Sequence, residues 1–232
     1  MIDKNKEYIG QMFDEISPYY DHLNHLFSAK QDIKWRKRAI RYLLSQNIKG
    51  GYILDLATGT GDLALEFLKL NPTKIFSVDL SYEMLRINRA KLNSERNVLI
   101  RAEAEHLPFD DNFIDVTGIA FGVRNFESLG NCLKEIKRVI KQGGIFITIE
   151  MFRNKKNTLS NKLFGFYFRS IVPIAGNILS RSSYAYNYLF NSVSTFLSID
   201  EYASLLNSSG FEVENVYDNF LGIVNTVIAV KR

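Results

Sequence analysis

Apolar positions recur along this chain in two rhythms. Short runs that are almost wholly apolar fall at Tyr52–Leu56, Ile75–Leu80, Val98–Arg101, Ile114–Phe121 and Ile145–Ile149. Runs of that kind predict strands buried on both faces. Between them, Asp62–Leu70, Glu83–Leu92 and Leu129–Ile140 carry apolar residues three and four apart, the spacing of helices laid on a sheet. Regular alternation of the two predicts a parallel sheet with helices on both faces. Two helices are predicted ahead of the first strand, near Lys4–Phe13 and over Ile33–Leu44, where Trp35, Ala39, Tyr42 and Leu43 share a face. The stretch between them, FDEISPYYDHLNHLFS, takes no clear pattern.

The last third breaks the alternation. It holds a helical, aromatic segment over about Thr158–Phe190, a helix near Ile199–Ser208, and the strand-like runs FEVENVY and GIVNTVIAV. Those two runs lie too close together for a parallel crossover, which needs a dozen or more residues, so they predict an antiparallel hairpin. The expected fold class is α/β. A seven-stranded, mostly parallel sheet ends in an antiparallel last strand, and a helical insertion follows strand five, the outline of a Rossmann-like class I methyltransferase. The chain 1–232 reads as a single domain, with residues 1–48 as N-terminal lid helices and 151–198 as a helical substrate cap.

Composition narrows the class. The 232 residues are 46% hydrophobic and 23% charged, enough to bury a substantial core. A net charge of +4, with Lys and Arg scattered among Asp and Glu, gives no reason to expect nucleic acid. The lone Cys132 has neither a disulfide partner nor metal-ligand spacing and is expected in a helix core, consistent with a reducing compartment. The polar start MIDKNKEYIGQMF does not resemble a secretory signal, and LFGFYFRSIVPIAGNIL, interrupted by Arg169 and Pro173, is short for a bilayer span. A cytoplasmic protein is expected, with room for peripheral contact at the inner membrane face and for homo-oligomerisation.

Candidate chemistry starts at ILDLATGTGDLAL. Gly59-Thr60-Gly61-Asp62-Leu63-Ala64 satisfies the dinucleotide pattern G-x-G-x-x-G/A. About fifty residues precede this strand, however, and Asp55 closes it ahead of the turn. A carboxylate there would repel a pyrophosphate, yet could orient the loop and favour the cationic amino-acid part of S-adenosylmethionine. Asp79 ends the second strand, where a carboxylate can accept both ribose hydroxyls. AEAEHLPFDDNFID then places Glu103 and Ala104 where a carboxylate and a backbone N–H can read an adenine edge. No His or Cys pair has metal-site spacing, so no metal is expected.

These pieces, together with MFDEISPYYDHLNHLFS, WRKRAI, IAFGVRNFESL, EIKRVIKQGGIF and AYNYLFNSV, resemble the quinone-biosynthesis C-methyltransferase family over nearly the whole chain. FGVRNF and YYDHLNHLFS are its most specific segments. The resemblance implies conversion of demethylmenaquinol to menaquinol or, in some members, methylation of a ubiquinone precursor, with a prenylated quinol as substrate. It also implies cofactor contacts at Thr60, Asp79, Glu103 and Ala104, with Ala120 nearby, beside Asp55, Gly59 and Gly61 of the loop. Glu103 stands where the family usually has Asp or Asn, and Ala120 where Ser is frequent. On the substrate side, IEMFRNKKN replaces a Glu-Phe-Ser-x-Pro run, and a proline often found near Phe196 is missing.

Methylating a ring carbon from a sulfonium is an in-line displacement, for which alignment and a dry site suffice once the ring is electron-rich. A quinol achieves this by losing a hydroxyl proton from a group of pKa about 10, so a nearby cation or base helps. Arg124 is the expected electrostatic stabiliser, and Asn125 could hold an acceptor oxygen. Tyr20, Asp21 and Asn24 lie in a segment able to fold over the cofactor. Phe13 or Tyr20 could face the sulfonium, and Asp21 could take a proton. Structural readings compete with each of these roles: a salt bridge for Arg124, a helix cap for Asn125, lid packing for Tyr20 and Asp21. His22, His25 and His106 are weaker candidates. Phe164, Phe166, Tyr167, Phe168, Ile171 and Val172 form either core or a groove for an isoprenoid tail. A nucleotide-dependent dehydrogenase survives only on the glycine motif alone, and a non-catalytic cofactor scaffold sits poorly with FGVRN beside the lid segment.

Overall fold

The computed structural model describes residues 4–153 and 183–232, with side chains of the second stretch from residue 188 onward. Helices α1 (Lys6–Ile16), α2 (Tyr20–Phe27) and α3 (Gln31–Ser45) precede β1 (Tyr52–Leu56). The alternation continues through α4 (Asp62–Phe67), β2 (Lys74–Asp79), α5 (Tyr82–Leu92), β3 (Asn97–Arg101), β4 (Ile114–Ala120), α6 (Leu129–Val139) and β5 (Ile140–Met151). After β5 the described elements are α7 (Ser183–Thr195), α8 (Ile199–Ser208), β6 (Phe211–Phe220) and β7 (Val224–Lys231).

The seven strands form one sheet in the order β3-β2-β1-β4-β5-β7-β6. β1 to β5 pair in parallel, and β7 runs antiparallel to both β5 and β6. The order reverses direction between β1 and β4, and in open α/β sheets ligands bind at that switch point, outside the carboxyl ends of the strands. Alternate residues of the central strands feed two cores. Ile53, Ile75, Val116 and Ile147 pack with Trp35, Ile40, Leu63 and Phe67 of α3 and α4 on one face. Leu54, Val78, Ile119 and Phe146 pack with Leu133 and Ile136 of α6 and Tyr202 and Leu206 of α8 on the other. Cys132 is buried on α6.

Two boundaries differ from the sequence pattern. β5 begins at Ile140, where α6 was expected to end, because Ile140 already pairs with Ile114 before a bulge restores register at Val116 and Ile145. Gly143 turns that bulge at φ +74°, and a Cβ on Gly144 would lie 2.6 Å from Ile140 and 3.0 Å from the Asp115 carbonyl. The unpatterned YYDHLNHLFS is helical as α2, with Leu23 buried and Leu26 exposed. Most of the aromatic segment after β5, including Phe164 to Val172, lies outside the described residues. No helix among the described residues is long and apolar enough to cross a membrane.

Candidate active site

The turn between β1 and α4 is built around one carboxylate. Asp55 Oδ2 accepts the Thr58 hydroxyl at 2.6 Å and the Ala64 N–H at 2.9 Å, so it holds both sides of the glycine loop from behind. Burial pushes this carboxyl up to about 7, against the lowering effect of those two hydrogen bonds. Gly61 sits at φ +88°, and a Cβ there would lie 2.6 Å from the Asn88 amide and 2.8 Å from Leu92. Only glycine gives both that conformation and that close approach to α5. Ala57 and Phe121, the residues just past β1 and β4, are left-handed as well, at φ 53° and 61°. Strained backbone of this kind concentrates at ligand sites, and both residues line the cavity between the strand ends.

That cavity has a volume of about 790 Å³ including its open mouth. Its floor is Gly59, Asp79 and Ala120, and Ala102, Glu103 and Ala104 form one wall. Ile9, Gly10 and Phe13 of α1, with Tyr20 of α2, form its roof. Asp79 accepts the Gly59 N–H at 2.7 Å on one oxygen and the Ser81 N–H at 2.9 Å on the other. Burial raises its carboxyl above the ordinary range. An ionised carboxylate offers about four lone-pair sites, so acceptor capacity remains beyond these backbone bonds. Val78, Leu80 and Met84 provide an apolar slot beside it. This donor and acceptor set fits an adenosyl group. Glu103 is held by Lys6 of α1 at 2.6 Å, and Lys6 also reaches Glu105 at 2.7 Å, so α1 is fastened across the mouth. The Lys6 ammonium keeps the Glu103 carboxyl below its usual range.

The other expected residues divide. Asn125 and Tyr20 line the cavity, and Tyr20 meets Phe13 edge to face at 5.9 Å. Asp21 and Thr60 sit beside it, in a polar knot. The Thr60 hydroxyl donates to Asp21 at 2.5 Å, and Lys91 Nζ reaches Asp21 at 2.5 Å, Thr60 at 2.9 Å and Asp62 at 2.8 Å. Arg124 is buried against Glu150, with Nη1 2.5 Å from the carboxylate and 2.8 Å from the Phe121 carbonyl. Its guanidinium is thus engaged in a salt bridge. Asn125 accepts the Tyr188 hydroxyl of α7 at 3.1 Å. Of the histidines, His22 is exposed. His106 is exposed and pairs with Glu103 at 3.3 Å. His25 lies 2.8 Å from Asp32. His25, Asp32 and Asp62 come close enough to share a cation, but Arg36 Nη1 already lies 2.7 Å from Asp32 and 3.6 Å from Asp62.

The ubiE/COQ5 methyltransferase family model matches residues 1–231. The chain belongs to that family. It is 40% identical over 213 residues to the demethylmenaquinone methyltransferase of Chlorobaculum tepidum, covering 90% of this chain and 86% of the relative. Against the ubiquinone/menaquinone biosynthesis C-methyltransferase UbiE of Geotalea uraniireducens it is 38% identical over 236 residues, 99% of each chain. Among solved structures, a SAM-dependent methyltransferase from Thermotoga maritima superposes with a TM-score of 0.65 at 17% identity, covering 95% of this chain and all of that one, which shows a shared fold.

Several residues that shape the site in this ubiE/COQ5 member escaped the sequence reading. Lys6, Asp14, Lys91 and Glu150 act through partners 26 to 97 positions away. Asp14 caps α5 from outside, accepting from the Ser81 hydroxyl at 2.5 Å and the Glu83 N–H at 3.1 Å. Only Glu150 carried a local hint, as an acidic residue in an otherwise apolar run at a strand's carboxyl end.

Proposed function

We propose that this protein transfers a methyl group from S-adenosylmethionine to a ring carbon of demethylmenaquinol, giving menaquinol. The observation that carries the reading is the cavity at the switch point. Its floor offers a carboxylate with acceptor capacity to spare, and Phe13, Tyr20, Asn125 and Phe126 also line it. It occurs in a family member 40% identical to a relative named for that activity. When bound, S-adenosylmethionine supplies an activated methyl group together with its leaving group. The new bond forms between that methyl and the ring carbon, the sulfonium bond breaks, and the ring carbon loses its hydrogen as a proton.

In this reading Asp79 takes the ribose hydroxyls, and Glu103 with the Ala104 backbone faces the adenine. Gly59 and Gly61, shaped by Asp55, let the chain pass close to the donor, with Thr60 and Ala120 beside it. Phe13 and Tyr20 are the rings proposed to face the sulfonium, a contact worth about 1 kcal/mol. Asn125 contacts the acceptor oxygen, and the Arg124–Glu150 pair supports the turn beneath it. Asp21, committed to Thr60 and Lys91, secures the lid rather than receiving a proton. Within residues 1–48, α1 and α2 act as the lid while α3 packs on the sheet, and residues 151–198 act as the cap of this single domain. The aromatic run from Phe164 to Val172 serves the isoprenoid tail at the surface of the bilayer.

A ubiquinone precursor is the second reading, favoured by the relative that aligns over 99% of each chain and carries both quinones in its name. Purified protein given S-adenosylmethionine and each reduced quinone, followed by mass spectrometry, separates the two. Demethylmenaquinol is expected to gain one methyl. Methylation of neither acceptor by protein that binds the donor overturns the assignment.

A further inference from the structure

Tyr188 belongs to α7, within the AYNYLFNSV motif, yet its side chain is buried beneath the lid with Ile9, Met12 and Ile16 of α1 and with Met84. Its ring centroid lies 6.5 Å from that of Tyr8. From there its hydroxyl reaches Asn125 Oδ1 at 3.1 Å, while Asn125 Nδ2 faces the Phe121 carbonyl at 3.4 Å. The carbonyl settles which way the amide points. A phenol can donate or accept and so would tolerate either orientation, whereas a backbone carbonyl only accepts and must face the NH2. With its oxygen taken by Tyr188, Asn125 has a second N–H to offer, and it lines the cavity.

We propose that Tyr188 is a positioning residue that fixes Asn125 as a hydrogen-bond donor toward the acceptor, so that the site selects an acceptor oxygen carrying negative charge. This rests on the C-methyltransferase reading, in which the ring is activated by ionising its hydroxyl. A donor amide stabilises the ionised oxygen, whereas an amide turned the other way would stabilise the neutral hydroxyl. The single tyrosine also makes the arrangement conditional. It forms only when α7, α1 and the turn after β4 are packed together, so the donor is set when the site is closed.

The test uses 4-methoxy-1-naphthol, a phenol shaped like one ring face of the acceptor and kept under argon because its anion oxidises in air, bound to the full-length protein with S-adenosylhomocysteine at a fixed pH of about 8.5, below the phenol range near 10. Absorbance reports the naphtholate and naphthol fractions of the bound probe. Tyr188→Phe is expected to lower the ionised-to-neutral ratio about fivefold, the scale of one hydrogen bond. Asn125→Ala should lower it at least as far, and adding Tyr188→Phe to Asn125→Ala should change nothing more, because the two act as one unit. Should the phenylalanine variant fold poorly, Asn125→Asp, which offers only acceptors when ionised, is expected to push the ratio further toward the neutral form. An unchanged ratio in Tyr188→Phe, or losses that add in the double variant, overturns the inference and leaves the methyltransferase reading standing. Failure of the wild type to bind the naphthol at all overturns the inference together with the aromatic-acceptor reading.

Discussion

Replacing Asp55 by Asn should make the protein more stable, and increasingly so as pH rises. The carboxyl is buried, and burial lifts it to about 7, while in the unfolded chain it titrates near 3.9. Between those values the native state holds a proton that the unfolded state has lost. Stability from this group is therefore complete below about pH 4, declines as pH climbs, and is gone above about pH 7. Three units at 1.36 kcal/mol each make the full loss about 4 kcal/mol. Asn avoids it without disturbing the loop, because the Thr58 hydroxyl and the Ala64 N–H both donate to the same oxygen, Oδ2, which an amide oxygen replaces. Urea unfolding at a series of pH values measures the difference. The two proteins should nearly coincide at pH 4, with Asp55→Asn ahead by about 4 kcal/mol at pH 8, and donor affinity at pH 8 should barely change because Asp55 lies behind the loop. A stability difference that stays constant with pH would refute the reasoning, since it would mean Asp55 is ionised in the native state throughout.

Asp79→Ala should weaken S-adenosylmethionine binding about ten- to a hundredfold, the scale of hydrogen bonds to a charged group; calorimetry showing an unchanged dissociation constant would remove Asp79 from the ribose. Arg124→Met leaves Glu150, which is 0% exposed, as an unpaired buried carboxylate and should cost about 3–5 kcal/mol in urea unfolding, whereas Arg124→Met with Glu150→Leu should recover most of it. A single variant as stable as the wild type would mean that Glu150 is held neutral rather than by its arginine.

The first strands were legible because β1 and β2 are short, mostly apolar runs bounded by turn residues, so the sequence places the β1 loop, Asp79 and the Glu103 segment at strand ends. YYDHLNHLFS was not. Its polar and apolar residues follow no clean helical stripe, since α2 buries Leu23 but exposes Leu26 and holds itself to the body through Asp21 and His25. Arg124 illustrates a second limit. A sequence shows that a guanidinium stands just past a strand end, not which way it turns, and a carboxylate 26 residues later on the neighbouring strand turned it inward. Tyr188 lay in a motif already singled out by resemblance. Its partner Asn125 is 63 positions away, and no periodicity encodes that contact.

The lid is fastened at the ends of three strands at once. Asp21 binds Thr60 past β1 and Lys91 on α5, Asp14 binds Ser81 past β2, and Lys6 binds Glu103 and Glu105 past β3. Pairs of this kind near the surface contribute about 1 kcal/mol or less each. Burying Ile9, Met12 and Ile16 of α1 against Met84 is worth more, at about 1.5–3 kcal/mol for each side chain. Apolar packing therefore holds the lid down, and the polar ties set where it sits. Those ties run to Glu103 itself, to Thr60 beside Gly59 and to Ser81, whose N–H Asp79 accepts, so a donor that orders these strand ends must also order α1. Amide hydrogen exchange should accordingly slow across Lys6–Ile16 when S-adenosylmethionine is added, and Lys6→Ala should reduce that protection while leaving global stability within about 1 kcal/mol. Identical exchange of α1 with and without the donor would mean that the lid closes independently of the cofactor, and the three ties would then be ordinary surface contacts.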